Sequence, residues 1–295
     1  DEWIMTRTGI KERRIASKDQ AASDLGVNAA KVAIEDAGLK PEDIDLIITA
    51  TVTPDTLCPS TACIIQEKIG AKNAAAFDIN AACTGFVFGV IIAQQFVNSG
   101  LYANVLVIGT EKLSSIVDWK DRSTCVLFGD GSGACVIGKS EERRIVSTFM
   151  GADGSGADLL HMPAGGSRLP ATEETVKNGL HFLKMTGNEV FKMAVRIMVD
   201  AANKAVQKIG LECDDIDLLI PHQANIRILN AVAGRLNLPK EKIFMNIEKY
   251  GNMSAASTAV ALVEASQENR IKKGDDVILV AFGGGLTYGA VVLKW

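Results

Sequence analysis

The sequence has no Cys-x-x-Cys pair, only three histidines and no excess of basic residues. The missing Cys-x-x-Cys spacing argues against a structural zinc site and against a disulfide framework, so no bound metal is expected. The six cysteines stand at positions 58, 63, 83, 125, 135 and 213, several of them inside apolar stretches. Free thiols of that kind fit a reducing, cytoplasmic setting. A net charge of -4 leaves no surplus of cations to neutralise phosphates, so no nucleic-acid partner is expected. No apolar run has the length of a membrane span and no secretory leader is visible, so no membrane association is expected either. The chain also opens on Asp1-Glu2-Trp3 with no initiator Met and no first strand. Either the start is missing or the numbering begins inside the natural protein.

What is present is ordinary α/β composition, 47% hydrophobic and 22% charged over 295 residues. The most informative feature is an internal repeat. Glu35-Asp-Ala-Gly-Leu-Lys-Pro-Glu-Asp-Ile-Asp-Leu-Ile-Ile-Thr49 is matched by Lys208-Ile-Gly-Leu-Glu-Cys-Asp-Asp-Ile-Asp-Leu-Leu-Ile220. Each reads as a helix closed by glycine, an acidic turn and a buried strand. Asn104-Val-Leu-Val-Ile-Gly109 followed by Phe128-Gly-Asp-Gly-Ser-Gly-Ala-Cys-Val136 is matched in turn by Asp276-Val-Ile-Leu-Val-Ala281 followed by the glycine-rich 282–291. Periodicity predicts helices over roughly 20–37, 60–70, 84–99, 187–209, 224–236 and 254–272. Helices alternating with buried strands imply largely parallel sheets covered by helices. Two duplicated halves, 1–145 and 146–295, are expected. The stretch 151–186 reads as an excursion between them.

Three segments carry candidate chemistry. Cys83 lies where a strand runs through Ala81 and Ala82 into a helix, so backbone amides and the helix dipole favour its thiolate. The turn should expose the sulfur beside an amide able to hold an oxyanion. Cys63, Cys125, Cys135 and Cys213 read instead as small buried hydrophobes. His222 directly follows the apolar strand 216–220, the strand end where open α/β sheets hold ligands. His161 and His181 read as satisfied, partly buried imidazoles. Asn252, in Tyr250-Gly-Asn-Met-Ser-Ala-Ala-Ser257, offers a neutral amide donor. A His and an Asn that both donate suit a carbonyl oxygen becoming an enolate.

The chain closely resembles the β-ketoacyl-acyl-carrier-protein synthase III family of condensing enzymes. The resemblance rests on Trp3-Ile-Met-Thr-Arg-Thr-Gly-Ile10, Asn80-Ala-Ala-Cys-Thr-Gly-Phe86, Phe128-Gly-Asp-Gly-Ser-Gly133, Gly187-Asn-Glu-Val-Phe191, Pro221-His-Gln-Ala-Asn225, Tyr250–Ser257 and Ala281-Phe-Gly-Gly-Gly285. It implies a thiolase-like fold, with the halves forming a five-layer α-β-α-β-α sandwich in a homodimer. It also implies that Cys83 takes an acyl group from acyl-CoA, typically acetyl-CoA. Malonyl-ACP (acyl carrier protein) would then lose carbon dioxide against His222 and Asn252, and the carbanion would attack the acyl-cysteine to begin fatty acid synthesis. No resident cofactor is implied.

By the same resemblance, the amides of Cys83 and Gly284 form the oxyanion hole. Trp3 and Arg122 sandwich the adenine of CoA, and Arg7 contacts a phosphate. Gly187 and Asn225 line the pantetheine tunnel, with Phe191 and Phe282 near its inner end. Cys58 stands where many relatives carry an aromatic residue that reaches into the partner subunit's acyl pocket, so a longer or branched primer is conceivable here. Because ACP is acidic, its docking face is expected at Lys192, Arg196, Arg227 and Arg235, paired along two helix faces. A degradative thiolase would need a second cysteine in 281–289, which has none. Elongating synthases use a second histidine where Asn252 stands. A starter-unit ketosynthase of a polyketide pathway and a non-catalytic acyl-carrier-binding scaffold remain as alternatives.

Overall fold

The computed structural model describes residues 2–295. Its longer helices are α1 (Glu2–Thr8), α2 (Ala22–Asp36), α3 (Thr61–Ile69), α4 (Gly85–Ser99), α5 (Glu173–Lys177), α6 (Gly187–Gln207), α7 (Ile226–Arg235), α8 (Ile247–Tyr250) and α9 (Ala255–Gln267). The strands are β1 (Leu46–Ala50), β2 (Ala75–Ile79), β3 (Val105–Lys112), β4 (Asp130–Ile137), β5 (Arg144–Ala152), β6 (Leu160–His161), β7 (Lys184–Met185), β8 (Leu218–Pro221), β9 (Asp276–Gly283) and β10 (Thr287–Lys294). The six helices expected from periodicity are all present. The last ends at Gln267 rather than 272, where Asn269 turns left-handed with φ +55°.

Two sheets carry the fold, in the orders β2-β1-β3-β4 and β5-β10-β9-β8. β1 pairs in parallel with β2 and β3, whereas β4 runs antiparallel to β3. The second sheet repeats that arrangement: β8 and β9 are parallel, and β10 is antiparallel to β9. The counterpart of β2 has shrunk to one parallel bridge, between Leu219 and Ile243. The duplication therefore extends to strand direction. The expectation of largely parallel sheets holds for β2-β1-β3 and β8-β9, whereas β4, β10 and β5 run antiparallel to their neighbours, β10 after a tight turn from β9 and β4 after the longer connection 113–129.

Between the sheets lie α4 and α9. Helix α4 packs on β1 and β3 on one side and on β9 and β10 on the other. This explains why it is apolar all round instead of on one stripe. The stretch Ala82–Ser99 is in fact long and apolar enough to cross a membrane, contrary to the sequence reading; over half of it is buried in this core. Each of Phe86, Val87, Val90, Ile91 and Val97 is buried there, a gain of about 1.5–3 kcal/mol per side chain over exposure. Helices α2 and α3 cover the outer face of the first sheet, and α6 covers that of the second with α7 beside it. The result is the expected α-β-α-β-α sandwich.

The glycines of Phe128-Gly-Asp-Gly-Ser-Gly133 admit α9 and its approach loop. A Cβ at Gly131 would lie 2.4 Å from Met253 Sδ, and one at Gly133 2.7 Å from Ala259 Cβ. From Glu2 to Thr8 the chain is helical. The end of α1 abuts the start of α7, where Gly9 has no room for a side chain against Ile226.

Candidate active site

Cys83 sits in a 3₁₀ turn, Ala82–Thr84, between β2 and α4. Ala82 adopts φ +48°, which costs an alanine about 1–3 kcal/mol and persists only where the surroundings impose it. They do so from the other half of the chain. Thr287 Oγ1 donates to Ala81 O at 2.8 Å, and Thr84 Oγ1 donates to Thr287 O at 3.1 Å. Gly283 packs so closely that a Cβ there would lie 2.7 Å from the Cys83 amide nitrogen. Ends of β2 and β9 thus meet at the nucleophile.

The sulfur is not exposed as the turn suggested. Cys83 is 6% exposed and lines a cavity of about 220 Å³ with Val52, Leu113, Ile116, Phe128, Leu160 and Leu183 among its walls. Burial in these apolar walls pushes the thiol up to about 12, despite a lowering influence from Ser254. Desolvation therefore keeps the group a thiol at physiological pH. Gly284 lies on the same wall.

His222 follows β8 and is wholly buried, its amide donating to Val280 O at 2.8 Å. Neither ring nitrogen has a partner. Burial lowers its pKa to about 3, so the ring is neutral at physiological pH. It packs edge-on against Phe282, at 5.8 Å between centroids, just before Gly283 and Gly284. Asn252 is 7% exposed. Its Oδ1 accepts from Ser254 N at 2.8 Å, which fixes the amide and leaves Nδ2 as the free donor. Cys83, Gly284 and Ser254 are on the cavity wall; His222 and Asn252 are not among its lining residues, His222 packing on Phe282 and Asn252 accepting from Ser254 N.

Trp3 is half exposed, with the Arg7 and Arg122 guanidinium carbons 5.6 Å and 5.9 Å from its ring centroid. These three expected CoA contacts are therefore neighbours. Gly187 opens α6, and Asn225 caps α7, its side chain accepting from Arg227 N at 2.9 Å. Arg227 lies over Phe191 at 5.5 Å. Arg196 and Arg235 are exposed, whereas Lys192 is engaged by Glu189 at 3.3 Å. Cys58 is exposed and is not among the residues lining this chain's cavity.

Two profiles describing 3-oxoacyl-(acyl-carrier-protein) synthase III match the chain, over residues 77–154 and, for the C-terminal part, 206–295. The beta-ketoacyl-(acyl-carrier-protein) synthase III of Caldanaerobacter subterraneus subsp. tengcongensis is 59% identical, covering 100% of this chain and 89% of the relative. The crystal structure of 3-oxoacyl-(acyl-carrier-protein) synthase III from Aquifex aeolicus VF5 superposes with a TM-score of 0.92 at 51% identity, covering 100% of this chain and 91% of that one. That of a priming β-ketosynthase from a polyketide biosynthetic pathway reaches 0.91 at 38% identity, covering 99% and 87%. The chain belongs to the 3-oxoacyl-(acyl-carrier-protein) synthase III family.

Within this family member, some expectations fail. Cys63 is exposed, its sulfur 3.1 Å from Ser60 Oγ, because it faces outward from α3. Cys135 is only partly buried, while Cys125 and Cys213 are buried as expected. His181 is not satisfied: its Nδ1 is buried without a partner, and the ring stacks on Phe182. His161 is partly buried and satisfied as expected, its Nδ1 2.8 Å from Asp158 O, and it also lines the Cys83 cavity. Sequence reasoning also passed over Glu111 and Ser254. A carboxylate ending the otherwise apolar run Val105–Thr110 was the available signal for the first.

Proposed function

We infer that the chain catalyses the decarboxylative Claisen condensation of an acyl-CoA primer, typically acetyl-CoA, with malonyl-ACP to give 3-oxoacyl-ACP, the first condensation of fatty acid synthesis. The observation that carries this reading is Cys83, on the wall of an apolar cavity in a chain 59% identical along its whole length to a β-ketoacyl-ACP synthase III. Cys83 sulfur attacks the primer thioester, and the amides of Cys83 and Gly284 hold the oxyanion. Malonyl-ACP then gives up carbon dioxide. His222 and Asn252 Nδ2 donate to its thioester oxygen as negative charge gathers there, and the carbanion attacks the acyl-cysteine.

The electrostatics support these roles. A neutral imidazole with unpartnered nitrogens bears a penalty of about 1–3 kcal/mol. A developing enolate oxygen relieves that penalty, and relieves it most where the charge is greatest, as catalysis requires. Decarboxylation supplies the carbanion, so no strong base and no resident cofactor enter the scheme.

Trp3, Arg7 and Arg122 would hold the nucleotide end of CoA, and Gly187, Asn225, Phe191 and Phe282 its pantetheine arm. Arg196, Arg227 and Arg235 would receive the acidic carrier, with Lys192 a lesser contributor because of Glu189. We divide the halves at 145/146, and place the enzyme in the cytoplasm as a homodimer in which Cys58 reaches the partner's acyl pocket. The similarity to a polyketide priming synthase favours a second reading, a starter-unit enzyme of the same chemistry. Intact-protein mass spectrometry after acetyl-CoA treatment tests the main scheme: an acetyl adduct abolished by Cys83→Ala supports it, and no adduct supports a binding scaffold. Turnover of acetyl-, isobutyryl- and octanoyl-CoA with malonyl-ACP separates the two enzymatic readings.

A further inference from the structure

Glu111, the last residue but one of β3, is completely buried. Its carboxylate accepts from Thr53 Oγ1 at 2.8 Å, Thr51 Oγ1 at 3.2 Å and Val52 N at 3.1 Å. From the other half of the chain, the Ser254 hydroxyl and the Ala255 amide face it. No cation compensates it among the described residues: Lys112, next in sequence, sends its Nζ away to Ser17 O at 3.0 Å and to Gln20 O. A buried carboxylate without a counter-ion is costly, and purely structural tethering would be served by a neutral amide.

Ser254 connects this carboxylate to the nucleophile. It is 3% exposed, lines the cavity beside Cys83 and adopts φ +47°, a strained conformation for a serine. Its backbone is fixed by Asn252 Oδ1. Its hydroxyl faces both the Cys83 thiol and the Glu111 carboxyl, yet forms no well-made hydrogen bond to either. A rotor left unsatisfied between an acid and a base is suited to passing a proton.

We propose that Glu111, acting through the Ser254 hydroxyl, takes up the Cys83 proton during acyl loading. The proposal rests on the reading of Cys83 as the acyl-accepting nucleophile. The S–H bond breaks with its electron pair left on sulfur, the proton passes to Ser254 Oγ, and the Ser254 proton passes to Glu111. Sulfur then bonds to the acyl carbon, the oxyanion collapses, and the bond from that carbon to the CoA sulfur breaks. The departing sulfur takes the proton back along the same route, leaving CoA as a thiol and Glu111 ionised. One negative charge moves within the pocket and none is created.

The competing acceptor is His222, which would have to become a buried cation. Burial pushes the Glu111 carboxyl up to about 7 and lowers His222 to about 3, so the carboxylate is the better proton acceptor of the two. The groups facing this pair are Thr51, Val52 and Thr53 from the end of β1, Ser254 and Ala255 from the start of α9, and Cys83. His161 is the other titratable side chain on the cavity wall.

The test is rapid-quench acetyl-CoA loading of wild type, Glu111→Gln and Ser254→Ala between pH 5.5 and 9, with primer-independent decarboxylation of malonyl-ACP measured in parallel. In Glu111→Gln, loading should fall by about a hundredfold or more and lose its inflection near pH 7, while decarboxylation stays within about threefold. Ser254→Ala should reproduce the loading defect, which keeps the test open if the glutamine variant folds poorly. Glu111→Gln loading at the wild-type rate and pH profile would overturn the proposal, as would equal loss of both steps. A wild-type protein that forms no adduct on Cys83 would instead sink the underlying site assignment.

Discussion

Phe128 and Asn252 form a parallel bridge across the two halves, Asn252 N donating to Leu127 O at 2.9 Å and Gly129 N donating to Asn252 O at 3.0 Å. The loop carrying the proposed amide donor is thereby threaded onto the strand end of the first half. Phe128 itself lines the Cys83 cavity.

Gly129 makes the bridge possible, since a Cβ there would lie 2.6 Å from Tyr250 O. Gly129→Ala must push the Asn252 loop away, costing about 1–3 kcal/mol of stability. Because the proposed role of Asn252 is on the malonyl thioester, condensation should fall at least tenfold while acetyl-CoA loading changes little. Urea unfolding and the two partial reactions provide the check, and wild-type condensation would show that the bridge does not position the amide.

A second tie joins the loops of His222 and Asn252. Gln223 Nε2 donates to Pro221 O at 2.7 Å and its Oε1 accepts from Asn246 N at 3.0 Å. Asn246 Nδ2 then donates to Glu264 Oε2 at 2.9 Å, and the Tyr250 hydroxyl donates to Glu264 Oε1. Glu264→Ala removes the shared acceptor and should cost about 2–4 kcal/mol, since hydrogen bonds to charged groups are worth about 1.5–3 kcal/mol each. The predicted signature is a lower kcat for condensation with acyl loading preserved. A variant that only loses thermal stability would leave the network a purely structural role.

How much of this was visible beforehand depends on the range of each interaction. The turn at Cys83 announces itself locally, through small residues between an apolar strand and a helix. The correspondence of β1 and β8 followed from the repeat, because Asp45-Leu-Ile-Ile and Asp217-Leu-Leu-Ile lead matching strands, each parallel to its neighbour. Burial of the sulfur could not be read locally. Its walls come from Val52, Leu113, Phe128, Leu183, Ser254 and Gly284, spread over most of the chain. Glu111 was hidden for the same reason: its position at a strand end was plain, but its partners Thr51, Thr53 and Ser254 are distant in sequence. The reversal at β10 escaped because alternation and apolarity do not encode strand direction.

Stability against pH should show two opposed contributions. His222 is depressed from 6.5 to about 3 by burial, so its contribution is present above pH 6.5 and is lost as pH falls toward 3. Glu111 is raised from 4.5 to about 7 by burial, so its contribution is full below pH 4.5 and is lost as pH rises through 7. Between pH 7 and 4.5 the two largely offset one another. Glu111→Gln should therefore gain stability at pH 8 and lose it more steeply on acidification, whereas His222→Gln should grow more stable toward pH 5 relative to wild type. Urea midpoints at half-unit pH steps measure both slopes, and parallel curves for all three proteins would refute the assignment.

Docking of the carrier offers the last test. Arg227 is exposed on the first turn of α7, its guanidinium over Phe191 and its backbone held by the Asn225 cap. Charge reversal by Arg227→Glu places a carboxylate before an acidic partner, which slows encounter and raises the KM for malonyl-ACP, by about tenfold at low salt. The penalty should shrink as ionic strength rises, since a Debye length of about 8 Å at 0.15 M screens exposed charges. Acetyl-CoA loading should be unchanged, because the proposed holders of that substrate are Trp3, Arg7 and Arg122 instead. Lys192→Glu should do less, its ammonium being already paired with Glu189. Equal damage to loading and to malonyl-ACP use by Arg227→Glu would mean that the residue serves the CoA entrance rather than the carrier.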